Sequence, residues 1–369
     1  MILKTFRVIS KRSLFQKCLL PDALSYQIFI DIKFNNESKV YHSTMTIFGS
    51  NNAIKTLGTL HPTYKETYNI LSRRFEGGIP PKGVGQVFRV MQWNVLAQGL
   101  TGSGPRKNFC KTPPRYLEWE TRRYLLLLEV LSYMPDVLIL QEVDRYEWLE
   151  PKLREFGYKG KFKERPFSPC VDMPDDDSAK PDGCAIFYHS DRFDIKDVVH
   201  RQLVNQMEHG TSCVALGLKL QFLEDNAEIF VVGSHLKGGP KTDQARFESC
   251  IDLCNFISEH AGAGSMVVVG ADICENPDEQ GYEHLTSKFK DSYRFALSGR
   301  HPPWTTWRWR PIGEEKYTND VILYNEQALR VLQVLDVPGH VGEIRLPSNA
   351  CGSDHIPLVT DFQRIVQES

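Results

Sequence analysis

Residues 267–277 read VVVGADICENP, and the fold class follows from this stretch. Three consecutive Val residues predict a β-strand that is buried on both faces. A Gly and then Asp272 close the strand, and Asn276 with Pro277 resembles the start of a helix. A buried strand followed by a helix indicates an α/β sheet, where ligands bind at the carboxyl ends of strands. Asp272 is therefore a candidate site residue, although a single carboxylate there could equally be a loop or capping residue.

The composition is that of a globular protein with a large core. The 369 residues are 41% hydrophobic and 11% aromatic, which fits one domain of roughly 280 residues plus an extension, or two ordinary domains. Because the formal net charge is only −2, any basic surface for a nucleotide or nucleic acid must be local. Nine Cys without zinc-type spacing favour reduced intracellular thiols. No apolar run approaches the ~18 residues of a membrane helix.

The N-terminal part differs from the rest of the chain. Residues 1–21 contain Lys and Arg but no Asp or Glu, interleaved with apolar residues. This composition is typical of a mitochondrial presequence, although a basic tail has the same composition. We therefore expect a mitochondrial protein, a cytoplasmic protein, or one found in both places. Residues 22–85 are expected to be an N-terminal extension and linker, and the main domain is predicted over residues 86–369.

The main domain alternates strand-type and helix-type patterns. Strands are predicted over residues 86–96, 136–141, 183–188, 213–220, 228–233, 320–324, 329–335 and 357–362, and helices over 115–133, 146–156 and 242–259. Residues 99–114 and 159–165 are expected to be loops because Gly, Pro or basic residues dominate them. Strands outnumber helices and no GxGxxG motif occurs, which disfavours a dinucleotide-binding doubly wound sheet. Two packed sheets with helices outside fit this order better.

Polar side chains recur where the predicted strands begin or end. They are Asn94, Glu142, His235, Asp272, Asp320 and His355. Glu142 with Asn94 supplies the hard oxygen ligands that Mg²⁺ or Mn²⁺ prefers and that suit zinc less well. His355 beside a carboxylate such as Asp320 would be a positioned acid/base with a pKa near neutrality. Each residue alone has an ordinary structural explanation. The whole set together predicts a metal-dependent phosphate-ester hydrolase. In such a site His235 would be a donor to phosphoryl oxygens.

Seven short motifs resemble a known family in their order and spacing. They are QWN at 92–94, LQEVD at 140–144, PDGCA at 181–185, SHLK at 234–237, GAD at 270–272, DVI at 320–322 and SDH at 353–355. The family is the exonuclease–endonuclease–phosphatase superfamily, in the branch related to the poly(A) deadenylases that lacks leucine-rich repeats. The resemblance implies a DNase I-like, four-layered α/β sandwich of two packed mixed sheets flanked by helices. It also implies in-line hydrolysis of a phosphate ester with Mg²⁺, or alternatively Mn²⁺, as cofactor.

The same resemblance implies roles at the metal and the attacking water. By position, Glu142 would bind the metal, and Asn94 would orient the metal and a phosphate oxygen. Asp272 would position or deprotonate the attacking water. His235 would contact the phosphoryl oxygens.

Further roles implied by the resemblance concern the base and the substrate. His355, held by Asp320, would act as a base or as a phosphate stabiliser. Arg165, Lys237 and Arg310 stand at positions of substrate contacts, with Arg165 in place of a family Lys. The implied partners are a dinucleotide or poly(A) RNA. We expect the protein to be a monomer. Any circadian role is implied by the resemblance alone.

The sequence departs from the family at three positions. The family motif after the Val-rich strand is Gly-Asp-x-Asn, whereas this chain has Ala271 at the Gly position and Cys274 at the Asn position. A thiol is a weak donor, and losing one preorganised donor typically costs roughly 10²–10³ in rate. A family Arg just after the His-Leu-Lys motif is Gly239 here. Cys274, Asp354 and Arg246 are further candidates without a settled role.

Three functions remain open. The first is removal of the 2′-phosphate of NADP⁺ or NADPH, which the resemblance associates with this branch and the three basic substrate contacts favour. The second is a poly(A)-specific 3′-exoribonuclease, which needs a basic, aromatic-lined track. Trp304, Trp307 and Trp309 can be interpreted as that track, but core and cleft wall is the preferred interpretation. The third is a weakly active or inactive nucleotide- or partner-binding protein, motivated by Cys274 and Gly239 but disfavoured by the retained acids and histidines.

Overall fold

The computed structural model describes residues 70–78, 86–102, 108–172, 180–204, 210–239, 242–262 and 264–365. It also describes the backbone of four N-terminal strands, which pair in chain order as an antiparallel sheet: β1 (Arg7–Ser10), β2 (Ser13–Lys17), β3 (Gln27–Lys33) and β4 (His42–Ile47). The side chains of residues 1–21 lie outside the described residues, so the presequence assignment stays a prediction. None of the helices described here combines the length and apolar character needed to cross a bilayer.

The remaining elements belong to the main domain. Its strands are β5 (Phe75–Glu76), β6 (Val87–Asn94), β7 (Val137–Gln141), β8 (Tyr158–Glu164), β9 (Gly183–His189), β10 (Phe193–Val204), β11 (Gly210–Phe222), β12 (Glu228–His235), β13 (Met266–Asp272), β14 (Lys290–Asp291), β15 (Thr306–Arg310), β16 (Gly313–Tyr317), β17 (Asp320–Tyr324), β18 (Leu329–Leu335) and β19 (Leu358–Arg364). Its α-helices are α1 (Trp119–Tyr133), α2 (Tyr146–Arg154), α3 (Asp243–His260), α4 (Gln280–Lys288) and α5 (Ser292–Ala296). Short 3-10 helices cover Gln98–Leu100, Pro114–Tyr116 and Pro169–Asp172.

These strands form two large mixed sheets and a hairpin. The first sheet has the order β5-β18-β19-β6-β7-β9-β8, the second has the order β10-β11-β12-β13-β17-β14, and β15 pairs with β16 alone. Each large sheet contains a parallel pair, β6–β7 in the first and β12–β13 in the second. The carboxyl ends of the two strands in each pair therefore meet at one edge of their sheet.

Alternate residues of the central strands face different layers, which explains why these strands are apolar throughout. In β7, Leu138 and Leu140 join a core cluster with α1, whereas Ile139 joins the cluster between the sheets. In β13, Val268 joins the cluster between the sheets, whereas Val269 joins a cluster with α3 and α4. The layers are thus helix, sheet, sheet and helix, and the predicted four-layered α/β sandwich is confirmed.

Two local predictions were wrong. Residues 159–165 were expected to be a loop, but they form most of β8, an edge strand whose Lys side chains face solvent while Tyr158 is buried. Charged edge strands of this kind protect a sheet from further pairing.

The helix expected at Asn276 starts instead at Gln280. Residues 276–279 form a turn, and the Asn276 side chain accepts a hydrogen bond from the Thr318 N–H (3.1 Å).

Residues 70–78 lie before the domain boundary expected near residue 85, yet they contact the main domain. β5 pairs with β18 at the edge of the first sheet. The Arg73 Nε donates to the Asp336 carbonyl (2.7 Å), and the Arg74 N–H donates to the Asp336 carboxylate (2.7 Å). This part of the N-terminal extension therefore adds an edge strand to the domain.

The two sheets approach each other closely beside their carboxyl-end edges. Gly233 of β12 and Gly270 of β13 are register partners. A Cβ at Gly270 would lie 2.8 Å from the Ile139 Cδ1 and 3.0 Å from the Gln92 Cγ. A Cβ at Gly233 would lie 2.9 Å from the Ile139 Cγ2. The missing side chains therefore allow β13 to come against β6 and β7.

We predict that Gly270→Ala lowers the free energy of unfolding by about 1–3 kcal/mol, because the added methyl group overpacks the sheet interface. Urea denaturation would measure the change. The matched control is Gly339→Ala, where an added Cβ meets nothing within 4 Å and the backbone conformation is ordinary. This control should be neutral or stabilise by up to about 1 kcal/mol. Equal effects of the two substitutions would contradict the close approach.

Candidate active site

Three of the predicted site residues form a row across the second sheet. His235 is the register partner of Asp272 in the β12–β13 pair, and Asp272 is the register partner of Asp320 in the β13–β17 pair. Register partners project from the same face of a sheet. The Asp320 Oδ1 accepts a hydrogen bond from the Gln92 Nε2 of β6 (3.0 Å), so this face is turned toward the first sheet.

The first sheet contributes Asn94, the last residue of β6, and Glu142, the residue after β7. The Asn94 Nδ2 donates to the Glu142 Oε1 (2.9 Å) and to the Asp272 Oδ2 (2.9 Å). The Leu96 N–H donates to the Asn94 Oδ1 (3.0 Å), and the Ala97 N–H donates to the Glu142 Oε2 (3.1 Å). One amide thus bridges carboxylates from the two sheets.

His355 is held by Asp320 and faces Asp272. Its Nδ1 lies 2.8 Å from the Asp320 Oδ2, and its Nε2 lies 3.8 Å from the Asp272 Oδ2. Burial lowers the pKa of His355, but the charges of Asp320 and then Asp272 raise it to about 10. The two carboxylates therefore favour the protonated form of the ring. Of the two roles implied for His355, this charge favours phosphate stabilisation over proton abstraction.

Asp272 is the point where the two histidines converge. Burial raises its pKa, but the rings of His235 and His355 and the hydrogen bond from Asn94 bring the pKa of Asp272 below its ordinary value. It is therefore an ionised carboxylate that can accept a proton from water or orient it. The His235 Nε2 lies 3.6 Å from the Asp272 Oδ2 and 4.0 Å from the Glu142 Oε1.

The residues around Glu142 fit a hard divalent cation. Glu142 and Asp272 present carboxylate oxygens on either side of one amide group, and oxygen donors of this kind suit such a cation. Two like charges held together in this way are stabilised when a cation shares them. Carboxylates that suit a cation, an ionised Asp272 and an imidazole held by Asp320 are groups that can assist hydrolysis of a phosphate ester.

Arg165, a predicted substrate contact, is buried and partnered. Its Nη1 lies 3.3 Å from the Asp182 Oδ2, and its Nε donates to the Ser212 carbonyl (3.0 Å). Burial lowers the pKa of the guanidinium, but the charge of Asp182 raises it. Glu142 makes a smaller contribution in the same direction, and the pKa of Arg165 ends above its ordinary value. Arg165 thus lies within electrostatic range of the predicted metal ligand.

Arg310 and Lys237 flank the same region. The Arg310 guanidinium lies 4.5 Å from the centroid of the Phe109 ring, and its Nη1 donates to the Asn108 carbonyl (3.3 Å). Burial is the largest cause that lowers the pKa of Arg310, and the positive charge of the neighbouring Arg308 is the next. Nearby acids, Glu142 among them, act in the opposite direction. Lys237 is exposed in the loop that follows β12. Arg165 and Arg310 thus lie within electrostatic range of Glu142 and already have protein partners, whereas Lys237 is exposed to solvent.

Two of the positions that depart from the family have unusual backbone conformations. Cys274 has φ = +53°, its N–H donates to the Asp272 Oδ1 (3.0 Å), and its Sγ donates to the Leu236 carbonyl (3.4 Å). Burial raises the pKa of the Cys274 thiol, so the group is neutral. Asn tolerates this left-handed region better than most residues, so the family Asn suits the backbone here. Gly239 is exposed with φ = +107°, a conformation that few L-residues adopt. Ala271 is buried in the cluster with α3 and α4.

Asp354 and Arg246 do not join the central cluster. Asp354 accepts a hydrogen bond from the Arg308 Nη1 (2.5 Å). Burial raises the pKa of Asp354, but the charge of the Arg308 guanidinium acts in the opposite direction, and the pKa is lowered to about 2. Arg246 is buried with its Nε 3.4 Å from the Glu275 Oε1, and its Nη1 donates to the Gly239 carbonyl (3.3 Å). Asp354 therefore anchors the β15–β16 hairpin, and Arg246 anchors the loop after β12.

Sequence reasoning missed several buried polar residues that support the site. The Gln92 Nε2 donates to the Gln141 Oε1 (2.8 Å) as well as to Asp320. Arg122 is fully buried in α1 and donates to the Gly352 carbonyl (2.7 Å) and the Val95 carbonyl (2.7 Å). The available signal was a polar residue inside an apolar strand or helix, since such a group must find a partner when buried.

The whole region from Met91 to His355 matches the endonuclease/exonuclease/phosphatase family. The chain belongs to this family. Human nocturnin is 38% identical to it over 285 residues, which cover 74% of this chain and 64% of the human protein. Xenopus laevis nocturnin is 38% identical over 286 residues, which cover 75% of this chain and 72% of that protein. Within the family the chain is therefore nocturnin-like, and it spans less than two thirds of the human relative's length.

A solved structure of this family has the same fold. The human nocturnin catalytic domain with bound sulfate superposes with a TM-score of 0.66 at 32% identity, and the match covers 80% of this chain and 97% of that domain. The Ccr4 subunit of Candida albicans, a 3′-5′-exoribonuclease subunit of the CCR4-Not complex, is 27% identical over 336 residues, which cover 75% of this chain and 41% of that protein. The family assignment made from the seven motifs is confirmed.

We predict that Cys274→Asn raises the initial rate of phosphate release by roughly 10²-fold, because it restores a preorganised amide donor beside Asp272. The left-handed backbone at this position accepts Asn without added strain. The control is Cys274→Ala, which removes the thiol without adding a donor and should show no such gain. A faster Cys274→Ala, or an unchanged Cys274→Asn, would contradict the role assigned to this position.

Proposed function

We propose that the chain is a Mg²⁺-dependent phosphate-ester hydrolase that removes the 2′-phosphate of NADP⁺ and NADPH. The proposal is supported by Arg165 and Arg310, which lie within electrostatic range of Glu142, and by Lys237, which is exposed in the loop after β12. A monoester dianion is small enough to contact such a set all at once, and bidentate Arg contacts suit phosphate oxygens. A substrate with one terminal phosphate thus satisfies the site without a long track.

The proposed metal site uses hard oxygen ligands. Glu142 would hold Mg²⁺, with the Asn94 amide fixing the carboxylate that binds it. When bound, the ion supplies positive charge to the phosphoryl oxygens. Its preference for oxygen ligands over nitrogen and sulfur favours Glu142 over the histidines nearby.

The remaining residues would divide the chemistry among them. Asp272 accepts the proton of a water that attacks phosphorus, and the ester P–O bond breaks on the opposite side. The 2′-oxygen leaves with the bonding electrons and becomes a hydroxyl group by taking a proton from solvent, to which Asp272 returns the proton that it accepted. The phosphoryl group, now carrying the oxygen of the attacking water, becomes inorganic phosphate. His355 and His235 stabilise negative charge on the phosphoryl oxygens. Asp320 acts as a positioning residue, because it fixes the His355 ring through Nδ1.

The aromatic side chains that an RNA track would need are engaged elsewhere. Trp304 is fully buried and donates to the Pro338 carbonyl (2.8 Å), and Trp307 is 8% exposed and donates to Glu314 (2.6 Å). The ring of Trp309 is covered by the Lys111 Nζ, 3.2 Å from its centroid. Trp304 and Trp307 are therefore too buried for a base to stack on them, and a cation occupies one face of Trp309. Their arrangement supports a small substrate over several nucleotides of RNA.

A poly(A) 3′-exoribonuclease is the second candidate. Relatives at 27–28% identity are named as 3′-5′-exoribonuclease subunits. The β15–β16 hairpin also collects cations, with the Lys316 Nζ 4.2 Å and the Arg345 guanidinium 4.4 Å from the Trp307 ring centroid. This basic surface can contact a phosphate backbone. A protein that only binds a nucleotide is the third candidate, and the assembled carboxylate–histidine cluster weighs against it.

The deciding experiment compares inorganic phosphate released from NADPH with shortening of oligo(A), both with Mg²⁺. We expect release from NADPH and no shortening of oligo(A). Glu142→Gln keeps the shape but loses the charge that holds the metal, and it should lower the rate by at least roughly 10²-fold. The matched control is Glu147→Gln, at a glutamate that is 63% exposed and pairs with Lys180.

Each other outcome selects a different account. Shortening of oligo(A) at a comparable rate would favour the exoribonuclease. Activity on neither substrate would favour the binding protein. Release that survives Glu142→Gln would show that Glu142 is not the metal ligand.

A further inference from the structure

Three different metal-ligand types converge beside the Glu142 site. One ligand atom from each of His235, Asp272 and Cys274 lies within 4.8 Å of the other two. The His235 Nε2 and the Asp272 Oδ2 are 3.6 Å apart, and the Cys274 N–H bond to the Asp272 Oδ1 (3.0 Å) keeps the thiol next to the carboxylate. Tetrahedral zinc with bonds of about 2.0–2.3 Å holds its ligand atoms roughly 3.3–3.8 Å apart. The 3.6 Å between the His235 and Asp272 atoms falls within that spacing, and the thiol lies within 4.8 Å of both residues.

The chemistry of the three ligands differs from that around Glu142. Imidazole nitrogen, thiolate sulfur and carboxylate oxygen together are typical of zinc and of other thiophilic ions. Mg²⁺ takes oxygen ligands and gains nothing from the thiol. The sulfur is present because Cys274 stands where the family motif has an amide, so the property belongs to this chain's own sequence.

A second observation concerns His235 itself. Its side chain is only 8% exposed, and its Nδ1 is buried without a hydrogen-bond partner among the residues described here. A buried imidazole nitrogen without a partner is costly, and the ring lacks the hydrogen bond that would fix one tautomer. The Nε2, 3.6 Å from the Asp272 Oδ2, is the nitrogen that faces the cluster.

An ion can reach the thiol from the loop after β12. A Cβ at Gly238 would lie 3.4 Å from the Cys274 Sγ, so the sulfur lies directly against a residue without a side chain. Lys237, Gly238 and Gly239 are all exposed. The loop beside the sulfur is therefore exposed and carries no side chain at Gly238.

We propose that His235, Asp272 and Cys274 form a binding site for a thiophilic divalent cation, with Zn²⁺ as the best match, beside the hard-cation site at Glu142. The thiol proton passes to solvent as the sulfur–metal bond forms, and no oxidant or reductant is needed. Occupation takes up both Asp272 and His235, so Zn²⁺ inhibits hydrolysis. The binding claim is independent of the proposed function, and only the inhibition rests on it.

Cobalt spectroscopy on the metal-stripped full chain tests the binding. Co²⁺ replaces Zn²⁺ in such sites and reports a sulfur ligand through a charge-transfer band in the near ultraviolet. We expect one such Co²⁺ that Zn²⁺ displaces, a band lost in Cys274→Ser, and a band retained in Cys110→Ser, at an exposed thiol. A wild-type protein without the band would overturn the proposal without any variant, and so would a band that persists in Cys274→Ser.

Inhibition is tested in the Mg²⁺-supported assay by titrating Zn²⁺. The concentration of Zn²⁺ for half inhibition should rise in Cys274→Ser by at least the roughly 10–100-fold that losing a supporting residue costs a metal site. An unchanged value would overturn the inhibitory role. If the wild type hydrolyses no substrate, the proposed function fails while the cobalt spectrum still decides the metal site.

Discussion

The Asn94 amide is the interaction on which the site depends. It is the last residue of a strand in one sheet, and its two N–H groups reach a carboxylate of that sheet, Glu142, and a carboxylate of the other sheet, Asp272. The bond to Asp272 requires the sheets to lie close at this edge. Gly270 provides the close approach, because a Cβ there would collide with Ile139. The packing of two apolar strands thus determines whether the two carboxylates can meet.

The side chains around this amide bring several charged groups into the protein interior, and the fold itself does not need charged groups there. Asp272, Asp320 and His355 are each at most 3% exposed, and their pairing replaces water that the isolated groups would hold. Buried ion pairs often contribute little net stability, so a well-packed apolar core would serve the fold as well. Sites that break the rules of core packing are expected to be functional ones. The row from His235 to Asp320 is such a site, and strand register alone creates it.

The sequence predicted what depends on local pattern and missed what depends on contacts across the sheets. The Val run of β13 and the apolar run of β7 are buried on both faces, so their strands and the polar residues at their ends could be found from the sequence. The β8 strand was missed because its Lys residues, which face solvent at a sheet edge, resemble a basic loop. Gln92 and Gln141 were left without a role because their partners belong to neighbouring strands. Cys274 was recognised as a departure from the family, but its proximity to His235 required the structure.

The substitution that tests the central claim most directly is Asn94→Leu, which keeps the size of the side chain and removes its donors. The measurement is phosphate release from NADPH with Mg²⁺, alongside thermal unfolding to establish that the variant is folded. Because both carboxylates lose their shared donor, a folded variant should lose at least roughly 10²-fold in rate. A folded Asn94→Leu protein that releases phosphate at the wild-type rate would contradict the account, since the carboxylates would then act without the amide that joins the two sheets.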